Sequence, residues 1–137
     1  MSKSSLVLFI DDNIEARDYY ARRLLISSPD FEILHAATGQ IGLALCQWHL
    51  IDCVVMELEL PDMSGFQLLS KLVPRPLRPP IPVIILTRLA NQYLLEVALK
   101  NGALAAFYKP MTSGDALDKA ILRAMATVPI DRKRLAV

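Results

Sequence analysis

Four places along this 137-residue chain set an ionisable or hydroxyl side chain directly behind an apolar run. Residues 6–12 read LVLFIDD, so Asp11 and Asp12 close the first run. DCVVMELEL (52–60) delivers Glu57, PVIILT (82–87) ends on Thr87, and AAFYKP (105–110) reaches Lys109. Aspartate is a poor strand former and adjacent like charges repel, so paired acids at such a place need a reason. If these runs lie side by side, their ends meet at one rim. Carboxylates gathered there push one another towards protonation unless positive charge is supplied. Lys109 supplies some, and a hard divalent cation such as Mg²⁺ would supply more, ligated by carboxylates, waters and phosphate oxygens. Thr87 and Lys109 can both meet a phosphoryl oxygen. The implied chemistry is a phosphoryl group held between metal, hydroxyl and ammonium. Nucleotide binding fits less well, because DDNIEA has no glycine and both GxGxxG and P-loop patterns are absent.

The elements that must position these groups follow from the pattern. Apolar runs at 6–10, 31–37, 53–58, 82–86 and 104–108 lack strict alternation, which suits parallel strands buried on both faces. Segments with helical spacing lie between them. Ala16, Tyr20 and Leu24, with Ala21 and Leu25 beside them, mark the first. Ile41, Ala44, Leu45 and Trp48 predict the core-facing stripe of the second, with Trp48 in the core. Ser64 caps the third, which stacks Phe66, Leu69 and Leu72. The fourth runs from about Asn91 to Asn101 with Gly102 as its stop, and the fifth starts at Ser113. Alternating strands and helices predict an open, doubly wound α/β sheet with right-handed crossovers. In such sheets ligands bind beyond the carboxyl ends of the strands. We expect one domain over residues 1–128 and a short tail over 129–137.

Composition narrows the classes. Fifteen basic against fourteen acidic residues leave a net charge of +1, which favours neither nucleic acid nor an anionic membrane. The two cysteines, Cys46 and Cys53, have no CxxC spacing and read as buried thiols. The first apolar run is too short for a signal peptide or a span, so a cytoplasmic protein is expected. His35 and His49 have no sequence neighbours that suggest phosphoryl donation. The prolines of PRPLRPPIP (74–82) stop the third helix.

LFIDD, DCVVMELELPDMSGFQLL, PVIILT and NGALAAFYKP together resemble the receiver domain of bacterial response regulators in two-component signalling, over roughly residues 6–126. The resemblance implies a flavodoxin-like five-stranded parallel sheet in the order 2-1-3-4-5 with five helices. It implies that Asp11 and Asp12 bind Mg²⁺, Asp12 more directly, with Glu57 and Glu59 completing the candidate ligand set. It implies that Thr87 and Lys109 sense the phosphate, that a cis bond precedes Pro110, and that Pro61, Asp62 and Gly65 shape the loop after the third strand. The implied partners are a sensor histidine kinase or an output protein, with homodimerisation through the fourth and fifth helices, where apolar residues wrap round the helix.

Three positions depart from that pattern. Glu57 stands where the family has its phospho-acceptor aspartate. The extra methylene moves the carboxylate by one C–C bond length, ~1.5 Å. A misplacement of ~1 Å can cost on the order of 10²-fold in a positioned reaction. Arg88 follows Thr87 where the family has a small residue, and its guanidinium can pair with Glu57 or Glu59. Ala106 replaces the family's switch aromatic, leaving Phe107 and Tyr108 as core and rim of the last strand. Asp11, Asp12 and Glu57 sum to −3, while Lys109 and Arg88 supply +2, which lessens the need for a metal. The expectation is a non-enzymatic pseudo-receiver, a phosphorylation-independent interaction switch. The alternatives are a Mg²⁺-dependent phospho-acceptor served by a histidine kinase and, more remotely, a small phosphohydrolase.

Overall fold

The structure, a computed structural model, describes residues 4–128; the expected tail at 129–137 lies outside them. Five strands alternate with five α-helices: β1 (Ser5–Ile10), α1 (Ile14–Ser27), β2 (Phe31–Ala36), α2 (Gly39–Trp48), β3 (Cys53–Met56), α3 (Gly65–Leu72), β4 (Val83–Thr87), α4 (Gln92–Lys100), β5 (Ala105–Tyr108) and α5 (Gly114–Thr127). All strand pairs are parallel and the order is β2-β1-β3-β4-β5, as the flavodoxin-like expectation requires. The central strands β1, β3 and β4 are buried on both faces, whereas the edge strands β2 and β5 are partly exposed. Leu8, Ile10, Val54, Met56, Val83 and Ile85 point into one layer with α2, α3 and α4. Val7, Phe9, Cys53, Val55, Ile84 and Leu86 point into the other with α1 and α5. Burial also pushes the Cys53 thiol pKa up, so that cysteine is inert.

Helix starts are set by side-chain caps, those at Ser64, Asn91 and Ser113 as expected. Asn13, Thr38, Ser64, Asn91 and Ser113 each accept a backbone N–H of the first turn, and Ser64 with Gln67 forms a capping box. Gly102 ends α4 at φ 105°, a left-handed conformation that any side chain would strain. Lys109–Met111 forms a short 3₁₀ turn, and among the described residues no peptide is cis, so the cis bond expected before Pro110 is not found. No described helix is long and apolar enough to cross a membrane.

One helix corrects the expectation. Of the stripe Ile41–Ala44–Leu45–Trp48, only Leu45 packs against the core. Trp48 is 80% and Ile41 48% exposed, while Gly39 and Gly42 are the buried residues of α2. A Cβ on Gly42 would lie 2.5 Å from Ile10 Cδ1, so α2 sits on the sheet through its glycines. Leu43 and Cys46 complete the inner face. A hydrophobic-pattern argument cannot see a face made of glycine.

Gly65 carries a second close approach. A Cβ there would stand 2.5 Å from Leu58 Cα and 2.8 Å from Glu57 O, and its N–H donates to Leu58 O at 2.8 Å. Gly65→Ala is therefore expected to displace the backbone beneath Glu57 and to cost about 1–3 kcal/mol of stability, read as a lower urea midpoint.

Candidate functional site

The parallel ladder brings the polar strand ends together. Glu57 N–H donates to Ile10 O at 2.9 Å and Asp11 N–H to Ala36 O at 2.9 Å, so both acids are held one residue beyond their strands. Their side chains turn towards Lys109 at the end of β5. Lys109 Nζ lies 2.6 Å from Asp11 Oδ2 and 3.2 Å from Glu57 Oε1. Asp11 is 3% exposed, Glu57 2% and Thr87 0%. This is a buried carboxylate–ammonium–carboxylate bridge, in which attraction must offset the desolvation of every charge.

Among the described residues, no side chain accepts more hydrogen bonds than the Glu57 carboxylate. Its Oε2 accepts from Leu58 N–H at 2.6 Å, Glu59 N–H at 3.2 Å and the Thr87 hydroxyl. Its Oε1 accepts from Arg88 N–H at 3.1 Å and from Lys109. Thr87 Oγ1 in turn accepts from Leu89 N–H at 3.2 Å. Burial pushes the Glu57 carboxyl up, but Thr87, the Lys109 ammonium and the amides of Arg88 and Glu59 together hold it below the ordinary glutamate range. Glu57 is thus ionised at neutral pH.

The remaining candidates stand at the rim. Arg88 turns its guanidinium outward and pairs with Glu59, Nε to Oε1 at 2.9 Å; its backbone amide, not its side chain, reaches Glu57. Both partners of that pair are exposed, so it adds little stability. Asp12 is exposed and accepts no hydrogen bond from the described residues. Ala106 packs half-buried against the core on the α4 side, and Phe107 against the α1–α5 side.

The expected Mg²⁺ set does not assemble. Asp11 spends one oxygen on Lys109 and the other on Asn13 N–H at 2.9 Å. Both Glu57 oxygens are committed and Glu59 faces Arg88. Among the described residues, no three Asp, Glu, His or Cys side chains gather as a metal cage. As arranged, Lys109 occupies the central cationic position, and Asp12 is the acid of the expected set that stays open to solvent.

Two contacts were not legible beforehand. Tyr20, read as a core residue of α1, also donates its hydroxyl to the carbonyls of Lys109 at 3.0 Å or Thr112 at 2.8 Å. Asp62 accepts from Gly39 N–H and Gln40 N–H, both at 2.9 Å, tying the loop after β3 to the start of α2. Only a buried phenol and an acid facing a helix start could have signalled these roles.

The model of the response regulator receiver domain family matches residues 7–121. The chain belongs to that family. This receiver domain is 34% identical over 125 residues to protein-glutamate methylesterase/protein-glutamine glutaminase 6 of Anaeromyxobacter dehalogenans, covering 89% of the chain and 34% of that protein. It is 30% identical over 108 residues to histidine kinase P4 of Formosa agariphila, covering 79% of the chain and 8% of the kinase. The receiver domain thus spans about a third or less of these relatives. Among solved structures, a CheY-like receiver domain protein from Methanospirillum hungatei JF-1 superposes with a TM-score of 0.78 at 27% identity, covering 91% and 96% of the two chains. The response regulator domain of Thermotoga maritima CheB gives 0.78 at 24% identity, covering 93% and 100%, and supports the fold.

Proposed function

We propose that this receiver domain is a protein-interaction module of two-component signalling whose active form does not require aspartyl phosphorylation, with Glu57 in the place of the phospho-acceptor. The observation that carries this reading is the double engagement of Glu57. Thr87 and Lys109, the groups the family resemblance assigns to sensing phosphate, both already bond its carboxylate. An ionised carboxylate reaching one methylene further offers Thr87 and Lys109 acceptor oxygens where a phosphoryl group would otherwise offer its own. With Glu57 fully hydrogen-bonded and Arg88–Glu59 at the rim, an incoming phosphoryl donor finds no free acceptor oxygen. Ala106, lacking a ring to swing inward, removes the usual reporter of Thr87 movement, which fits a module with one standing state. Its partners in this reading are a sensor histidine kinase or an output protein. The α4–α5 side, where Tyr93 and Leu99 are exposed, serves contact with the output protein or a second copy.

Incubation with Mg²⁺ and acetyl phosphate, followed by intact mass, tests the reading. The wild-type chain is expected to stay unmodified, whereas Glu57→Asp, which withdraws from Lys109, is expected to gain one phosphoryl group. Phosphorylation of the wild-type chain at Glu57 would instead make it a phospho-accepting response regulator.

A further inference from the structure

At the rim where the strands begin, α2 and α3 end side by side, and a groove of about 290 Å³ lies between them. Leu72 and Ile81, both buried in the core, supply its fixed lining. Leu43 of α2 and Pro74 and Pro80 of the linker complete the apolar walls. The linker is shaped in advance: each proline fixes its own φ, and Arg78 N–H donates to Arg75 O at 2.9 Å. An apolar cavity of roughly 150 Å³ takes one benzene ring, so this groove has room for a body of two rings.

Two polar side chains at the groove have nothing to bond. Gln47 and Lys71 line it and are exposed, and neither the amide nor the ammonium has a side-chain hydrogen bond or ion pair among the described residues. The acids nearest in sequence are Asp52 and Asp62, and neither lines the groove. Asp62 is spent on the N–H groups of Gly39 and Gln40, at the opposite end of α2. Asp52 follows α2 and turns one oxygen to Leu6 N–H at 2.7 Å. Its charge, and the carbonyl ends of the two helices at roughly half a negative charge each, oppose the cations. Lys71, with Arg75 and Arg78 exposed on the linker, outweighs these by about one unit, the charge that a monoanion matches.

We propose that the α2–α3 groove binds a small aromatic monocarboxylate. Its rings lie against Leu43, Leu72, Pro74 and Ile81, and its carboxylate accepts from the Lys71 ammonium and the Gln47 amide. A free phosphate is a poorer complement, since it brings no apolar body for the walls and more acceptor oxygens than two side chains satisfy. The exposed Ile41 and Trp48 stand on another side of α2 and take no part. The groove lies at the far rim from Glu57, so the proposal does not rest on the reading of that pocket.

The probe is 2-naphthoate, titrated into the full chain with labelled methyl groups and followed by NMR at neutral pH. Saturable shifts of the Leu43, Leu72 and Ile81 methyls are expected, with a Kd of about 1 mM for a ligand of about thirteen non-hydrogen atoms. The methyls of Leu58 and Leu89, beside Glu57 and Thr87, should stay in place. 2-Naphthylmethylamine, with the same rings and the opposite charge, is expected to bind more weakly, and acetate not at all. Lys71→Met keeps the stem of an exposed side chain; it should weaken naphthoate by roughly twofold to fivefold and should not weaken the amine. The absence of a saturable shift, an equal Kd for the amine, or a naphthoate Kd untouched by Lys71→Met overturns the proposal. So does a shift spread as strongly over the methyls of α4 and α5, which marks unspecific apolar binding.

Discussion

Lys109→Met lowers the unfolding free energy by about 3–5 kcal/mol, because removing one partner of a buried ionic bridge strands the others. Asp11 and Glu57 are almost wholly buried and share that single ammonium. A methionine fills the space of the lysine stem, so the loss reports on charge and not on a cavity. The sign with pH distinguishes this cause from simple misfit. In the wild type the Glu57 carboxyl sits below its ordinary range, so its contribution is present at neutral pH, above the unfolded value, and fades as pH falls through the folded one. Without Lys109 its ionised form loses a stabilising charge, and protonation relieves the variant. The gap between variant and wild type should therefore narrow as pH falls towards 4, roughly the ordinary carboxylate value. Urea denaturation of both proteins across that range makes the comparison, and a gap that stays constant would count against the bridge.

Glu57→Ala is the second large effect, a loss of about 2–4 kcal/mol. It deprives the Thr87 hydroxyl and the amides of Leu58, Glu59 and Arg88 of their common acceptor. Water entering at the rim recovers part of the cost, which sets the effect below that of Lys109→Met. Amide exchange at Leu58 and Arg88 should quicken markedly, while amides of β1 and α5 should not change. Glu57→Gln keeps the shape and one acceptor oxygen and should cost less. Combined with Lys109→Met it should cost less than the two losses added, by roughly 1–3 kcal/mol, since the two residues share one interaction.

The fold was legible because its signals are redundant. Central strands buried on both faces cannot hide their continuous apolar runs, and Ser64, Asn91 and Ser113 stand where the helical spacing begins. The rotation of α2 was not legible, since its contact with Ile10 depends on side chains that glycine lacks. In the site, Asp11, Glu57, Thr87 and Lys109 could be placed together because parallel strands in register deliver their ends to one rim. Asp12 and Glu59 share the same stretches but lie in the loops beyond β1 and β3, where they stand exposed. The Arg88 guanidinium could reach either Glu57 or Glu59 from sequence; only the coordinates reveal that its amide takes Glu57 and its side chain takes Glu59.

The phenol of Tyr20 has a mechanical corollary. By donating to the carbonyl of Lys109 or of Thr112, at the start or just past the end of the 3₁₀ turn, it fastens the first helix to the very segment that carries the pocket ammonium. Lys109 is consequently anchored at both ends, its tip by acids and its root by a strut from α1.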